Sequence, residues 1–114
     1  MSKKDRNVLL KDIQESISKI RKYTIGYDLV TFLDDDKTMD AVVRNFEIIG
    51  EVSSKIDEEF QIQHPEVEWK RMKGLRNRMI HDYSGIDYEV VWDIIESYLE
   101  ELEFQIEKLL KDKN

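Results

Sequence analysis

The chain has 114 residues, of which 38% are charged and 40% hydrophobic, with one proline, four glycines and no cysteine. This size predicts one domain over residues 1–114 with a single core, and the composition is typical of a soluble helical protein. The lack of cysteine excludes disulfides and thiolate metal sites and fits a cytoplasmic location, while the net charge of −7 argues against indiscriminate nucleic-acid binding.

The first half of the chain predicts two long helices. Residues 5–24 carry apolar side chains at spacings of three and four, which is the period of an amphipathic helix. Residues 28–33 predict a single helical turn. After a run of three aspartates, Thr38 is expected to cap a second long helix over residues 39–57.

The second half of the chain predicts two more long helices. Residues 58–64 are expected to be a connector, and Pro65 to begin a third helix that runs to about Tyr83. Asp87 is expected to cap a fourth helix over residues 88–111. No apolar run approaches the roughly 20 residues that span a bilayer, so no membrane segment is expected, and the charged N-terminal segment does not resemble a signal peptide.

Two expectations concern the helix ends. Ser84 and Gly85 are predicted to end the third helix, and Lys113 is predicted to lie at the negative dipole end of the fourth. Four amphipathic helices with short connections predict an all-α protein, a four- to five-helix up-and-down bundle with mostly antiparallel neighbours.

The positive charge of this acidic chain is concentrated in one segment. Residues 69–81 contain five basic residues and no acidic one, whereas the other 101 residues contain 13 basic and 25 acidic residues. The five are Lys70, Arg71, Lys73, Arg76 and Arg78. A local cationic patch on an anionic body suits a small, specific phosphate site better than a broad electrostatic footprint.

Arg76 interrupts the apolar face of the predicted third helix. At about 100° per residue, it projects into the arc that holds Trp69, Leu75 and Tyr83. Burying a cation in an apolar stripe costs free energy unless a charged or hydrogen-bonding group contacts the cation. Three alternatives remain open: it pairs with a carboxylate on a neighbouring helix, it lies in a cleft between the core and a second chain, or it faces a ligand anion such as phosphate.

His81 is the imidazole with chemically useful neighbours. On the same helical projection it lies four residues from Asn77 and close to Arg76, and histidine is suited to proton transfer near neutral pH. The other histidine, His64, is expected to have a capping or solvated role. No histidine, cysteine or glycine pattern predicts a metal or cofactor site, and the acidic run over residues 34–36 is expected to be solvated.

Residues 76–83, RNRMIHDY, have the form R-N-x-x-x-H-x-Y. This resembles the signature of the HEPN superfamily and, with its tyrosine, the HepT-like branch. Residues 44–51, RNFEIIGE, and the HPE followed by Trp69 are similar to other segments of that branch. The likeness covers essentially the whole chain.

The resemblance implies a metal-independent endoribonuclease toxin of a type VII-like toxin–antitoxin pair, with no cofactor. It implies a homodimer whose cleft joins Arg76 and His81 as catalytic residues, with Asn77 assisting. It also implies that a minimal nucleotidyltransferase antitoxin adds AMP to Tyr83, and that the two proteins associate in a hetero-oligomer. Lys73 and Arg78 are candidate contacts for RNA.

The chemistry of the residues agrees with part of this expectation. The 2′-hydroxyl of RNA is a built-in nucleophile, so cleavage needs an acid–base group, for which His81 is suited, and a cation for the phosphorane, for which Arg76 is suited. Two histidines in a two-fold cleft would serve as base and acid. AMP on Tyr83 would then block the cleft by volume and like charge. Two other hypotheses stay open: a non-catalytic subunit that binds substrate or nucleotide for a nucleotidyltransferase, and a structural adaptor.

Overall fold

The computed structural model describes residues 1–83 and 85–111, so the expectations for Ser84 and Lys113 lie outside the described residues. Within the described residues the chain forms eight α-helices, and an isolated antiparallel bridge joins Ile80 to Ile86. The helices are α1 (Lys3–Thr24), α2 (Leu29–Leu33), α3 (Asp36–Ser53), α4 (Glu58–Gln63), α5 (Trp69–Lys73), α6 (Leu75–Met79), α7 (Tyr88–Ser97) and α8 (Leu99–Lys111). The prediction of an all-α protein is confirmed for this part of the chain.

The core lies between α1, α3 and the pair α7–α8. α1 packs against both α3 and α8, and each of these helices buries one apolar stripe. The fully buried side chains include Ile13, Ile17, Ile20, Val42, Phe46, Ile49, Ile94, Tyr98, Leu102 and Ile106. The stripes predicted for the first, second and fourth helices are therefore confirmed as core. None of the helices in the described residues is long and apolar enough to cross a membrane.

α3 begins three residues earlier than predicted, because the cap was assigned to the wrong residue. Asp35, not Thr38, caps the helix: its carboxylate accepts the backbone N–H of Thr38 at 3.1 Å. The same carboxylate accepts the hydroxyls of Tyr27 at 2.6 Å and Thr38 at 2.7 Å. These hydrogen bonds, with that from Tyr27 the strongest, hold the pKa of Asp35 below its usual range.

The connector predicted over residues 58–64 is wrong in one respect, since most of it forms the short helix α4. The predicted fourth helix is also interrupted. Asp87 caps α7 as expected, but Tyr98 leaves helical geometry with φ −130° and divides α7 from α8. Tyr98 is fully buried beneath the guanidinium of Arg71, and burial raises the pKa of its phenol to about 12.

The largest correction concerns the third helix, which does not run to Tyr83. It divides at Gly74 into α5 and α6, and α6 ends at Met79. Ile80 is extended, with φ −85° and ψ 133°, and from there the chain turns back towards α7. Two backbone hydrogen bonds close the turn, from His81 N–H to Gly85 O and from Asp87 N–H to Met79 O, each 2.7 Å long. We call residues 80–83 and 85–87 the motif turn.

Two residues of the motif turn adopt left-handed backbone conformations. Gly85 has φ 92° and Asp82 has φ 45°. Glycine takes this conformation without steric cost, and aspartate tolerates it better than most residues. A helical projection assumes that the helix continues, so it could not place the residues that follow Met79.

Candidate active site

The candidate site is built beside α3. Gly50 of α3 determines how closely α5 approaches this helix. A Cβ atom at Gly50 would lie 3.3 Å from the carbonyl oxygen of Met72 and 3.6 Å from that of Lys73. Glycine therefore allows α5, and α6 after it, to pack directly on α3. Asn45, one helical turn away and buried, donates its amide to the carbonyl of Ala41 at 2.8 Å. This part of the RNFEIIGE segment is structural.

Arg76 is at the surface, so its predicted position within the buried arc is wrong. Leu75 and Met79 occupy the buried face of α6, whereas the Arg76 side chain is 68% exposed. Its Nε donates to Oε2 of Glu47 on α3 at 3.2 Å. Of the three alternatives, pairing with a carboxylate on a neighbouring helix is therefore observed. The hydrogen bond uses Nε, so the terminal amino groups stay outside this pair.

His81 lies in the motif turn and not on α6, so the predicted helical face shared by Asn77 and His81 does not exist. Asn77 is exposed on α6, and the His81 side chain is 66% exposed. Two carboxylates flank the imidazole: Oδ2 of Asp87 lies 4.0 Å from Nδ1, and Oδ2 of Asp82 lies 3.9 Å from Nε2. Both separations are longer than a hydrogen bond.

Arg76 and Tyr88 contact the same face of α3. Asp40, Arg44 and Glu47 follow one another at helical spacing along that face. Glu47 contacts Arg76, and Asp40 accepts the hydroxyl of Tyr88 at 3.4 Å. Tyr88 lines the same shallow cavity as His81. The two contact points on α3 are seven residues apart, which corresponds to about 10 Å along the helix axis.

The other predicted site residues are distributed around this face. Lys73 donates to the side-chain oxygen of Gln61 at 2.8 Å, and Arg78 pairs with Asp93 on α7 at 3.0 Å. Tyr83 is fully exposed at the tip of the motif turn. Because α6 ends at Met79, the prediction that Tyr83 shares a helical face with Arg76 is wrong; instead Tyr83 follows His81 by two residues in the turn.

Two carboxylates next to the motif were missed as site residues in the sequence. In the sequence Glu47 belongs to the RNFEIIGE segment and Asp87 to a helix cap. Glu47 meets Arg76 because α6 packs near α3, and Asp87 approaches His81 because the motif turn folds back, and helical spacing encodes neither. His64, as expected, has a local role: it ends α4, stacks 4.3 Å from the Phe60 ring, and lies 3.5 Å from Glu66. Among the described residues no group of three or more His, Cys, Asp or Glu side chains is arranged to hold a metal ion.

Comparison with known proteins gives consistent results. A family model described as "Ribonuclease HepT-like" matches residues 13–109. A protein of Methanocaldococcus jannaschii named as a candidate RNase is 40% identical over 112 residues, covering 98% of this chain and 93% of that protein. A second candidate RNase of that organism is 39% identical, covering 94% and 98%. "Probable ribonuclease HepT" of Thermococcus cleftensis is 38% identical, covering 96% and 99%. No solved structure matches.

Proposed function

Because this chain belongs to the HepT-like ribonuclease family, we propose that it is an endoribonuclease that cuts RNA with Arg76 and His81. The observation that carries the proposal is the exposure of both motif side chains, 68% for Arg76 and 66% for His81. A structural arginine in an apolar stripe would be buried and paired, whereas Arg76 is 68% exposed and keeps its terminal amino groups outside the pair with Glu47. This arrangement supports a site for an external anion.

The proposed reaction is a transesterification. The 2′-hydroxyl oxygen attacks the adjacent phosphorus, the bond from phosphorus to the 5′-oxygen breaks, and the products are a 2′,3′-cyclic phosphate and a 5′-hydroxyl. His81 transfers a proton, either taking it from the 2′-hydroxyl or giving it to the leaving 5′-oxygen. Arg76 stabilises the negative charge that accumulates on the phosphate oxygens. Asn77 orients the phosphate, and Lys73 and Arg78 contact the RNA backbone. The reaction needs no metal ion.

A homodimer would complete this chemistry, since one imidazole cannot act as base and acid in the same step. Two chains would supply two histidines to one cleft. Apolar surface beside the motif turn supports this proposal. Leu33 lines the same cavity as His81 while remaining partly exposed, and Val30, one turn earlier on α2, is 74% exposed. A surface of this kind at the edge of the site suits a protein contact.

We further propose that the nuclease is a toxin that a nucleotidyltransferase antitoxin inactivates by modifying Tyr83. The phenol oxygen would bond to the α-phosphorus of ATP, and pyrophosphate would leave. Full exposure of Tyr83 at the tip of a turn supports access by a second enzyme. Because Tyr83 is two residues from His81, the added phosphate would repel RNA, and the nucleotide would occupy the space that the substrate needs. Toxin and antitoxin would also associate in a hetero-oligomer.

The nuclease proposal is tested with RNA and purified protein in the presence of EDTA. We expect cleavage by the wild-type chain and by His64→Ala, and none by His81→Ala. The two histidine variants are compared because each removes one imidazole and only His81 belongs to the motif; the His64 side chain is 22% exposed and that of His81 is 66% exposed. Equal cleavage by His81→Ala would contradict the assignment. Tight nucleotide binding without cleavage would instead support the non-catalytic subunit.

A further inference from the structure

Asp87 uses its two carboxylate oxygens for different contacts. Oδ1 caps α7 by accepting the backbone N–H groups of Glu89 at 3.1 Å and Val90 at 3.2 Å. Oδ2 takes no part in these two hydrogen bonds and lies 4.0 Å from Nδ1 of His81. The helix cap therefore holds the carboxylate through one oxygen while the other lies near the imidazole.

The backbone around this pair is also held in place. The N–H of Asp87 donates to Met79 O, and the N–H of His81 donates to Gly85 O. Between them the bridge from Ile80 to Ile86 joins the two sides of the turn, and Ile86 packs against the core. His81 and Asp87 are consequently held on the two sides of a short, hydrogen-bonded turn, with 4.0 Å between Nδ1 and Oδ2. Active-site hydrogen bonds are often long before substrate binds.

We infer that Asp87 is a positioning residue for His81, an inference that rests on the proposed nuclease function. When RNA is bound, Oδ2 of Asp87 accepts the Nδ1–H of His81. This contact selects the tautomer protonated on Nδ1 and directs Nε2 towards the phosphodiester, where it transfers the proton. A carboxylate that orients a catalytic imidazole through its second nitrogen is a recurrent arrangement in proton-transfer sites.

Asp82 is the competing carboxylate, because it lies 3.9 Å from Nε2 and would select the opposite tautomer. Two observations favour Asp87. The Asp82 side chain is 84% exposed, whereas that of Asp87 is 32% exposed, so water screens the charge of Asp82 more strongly. Asp87 is also fixed by two accepted backbone hydrogen bonds. Glu89 and Tyr88 line the same cavity as His81 and Asp87.

The test compares Asp87→Asn with Asp82→Asn, which each remove one negative charge within 4.0 Å of the same imidazole. Asparagine caps helices as well as aspartate does, so Asp87→Asn should fold normally with its amide oxygen at the cap. Its amide NH₂ then faces Nδ1 and donates to it, which favours the wrong tautomer. Asp87→Ser, which keeps the cap and lacks a group facing Nδ1, serves as a second variant.

With an uncleavable 2′-deoxy RNA analogue bound, we expect ¹⁵N NMR of the His81 ring to show that the share of the tautomer protonated on Nδ1 falls in both Asp87 variants and is unchanged in Asp82→Asn. His64→Gln as the background leaves one imidazole signal. In RNA cleavage we expect kcat to fall at least about tenfold in Asp87→Asn with KM unchanged, and to stay within about twofold in Asp82→Asn. An unchanged tautomer ratio, or equal losses of kcat in the two variants, would overturn the inference. If the wild-type chain cuts no RNA, the proposed function fails, while the tautomer ratio still decides the pairing of Asp87 and His81.

Discussion

Replacement of Arg76 by methionine should separate activity from stability. The ion pair with Glu47 is at the surface, with 68% of the Arg76 side chain and 26% of the Glu47 side chain exposed. Exposed ion pairs contribute about 0–1 kcal/mol to the free energy of unfolding, because water screens their charges and ordering the side chains costs entropy. Glu47 keeps contact with water after the change. We therefore expect the free energy of unfolding of Arg76→Met to fall by no more than about 1 kcal/mol.

The effect on catalysis should be much larger. Removing one group that stabilises transition-state charge typically lowers kcat by about 10²–10³-fold, which corresponds to roughly 3–4 kcal/mol. Arg78→Met is the matched control, since Arg78 is also on α6 and pairs with a carboxylate, Asp93, at 3.0 Å. Because Arg78 is proposed to contact the RNA backbone, Arg78→Met should raise KM and reduce the salt dependence of RNA binding while leaving kcat within about twofold.

Urea unfolding and single-turnover RNA cleavage measure these two quantities on the same samples. The reasoning fails if Arg76→Met keeps kcat within about twofold of the wild-type value, which would make Arg76 a surface ion-pair residue. It also fails if Arg78→Met loses as much kcat as Arg76→Met, since a general loss of positive charge would then explain both.

Three further predictions concern the modification site, the core and the acidic cap. Tyr83→Phe should cut RNA as well as the wild type but gain no mass from AMP when incubated with the cognate nucleotidyltransferase and ATP; modification of this variant at another residue would contradict the assignment. Met79→Ala should lower the free energy of unfolding by about 2–5 kcal/mol in urea titrations, because the side chain is fully buried where α6 ends; a loss below about 1 kcal/mol would show that this end of α6 is not part of the core. Hydrogen bonds from Tyr27 and Thr38 lower the pKa of Asp35 in the folded chain, so its stabilising effect is present above the unfolded pKa of about 3.9 and is lost as the pH falls through the folded pKa. The stability gap between wild type and Asp35→Asn should therefore narrow from pH 7 to pH 3, and an equal gap at both pH values would contradict the role of the ionised carboxylate.

The sequence predicts those features that depend on local periodicity. The apolar stripes of α1, α3 and α8 follow from spacings of three and four residues, and the cap at Asp87 follows from its position before an apolar run. These signals are local, so neighbouring elements do not alter them.

The errors occur where the backbone leaves the helical repeat or where two elements pack together. The predicted third helix is apolar at helical spacing apart from Arg76, yet it ends at Met79, because the backbone N–H groups of His81 and Asp87 donate to the carbonyls of Gly85 and Met79 and close the motif turn. The helical projection placed Arg76 and Tyr83 in one apolar arc, whereas Arg76 is exposed and paired with Glu47 and Tyr83 lies in the motif turn. The pairing of Arg76 with Glu47 likewise depends on the close approach of α5 to α3 at Gly50.

The chemistry of the cut RNA ends distinguishes attack by the 2′-hydroxyl from attack by water. An RNA with a mapped cleavage site is incubated with wild-type chain in EDTA, and the new 3′ ends are identified. The account predicts 2′,3′-cyclic phosphates from the wild type, no products from His81→Ala, and no cleavage when the nucleotide at that site lacks its 2′-hydroxyl. Products with free 3′-hydroxyl ends, or cleavage of the 2′-deoxy substrate, would contradict it.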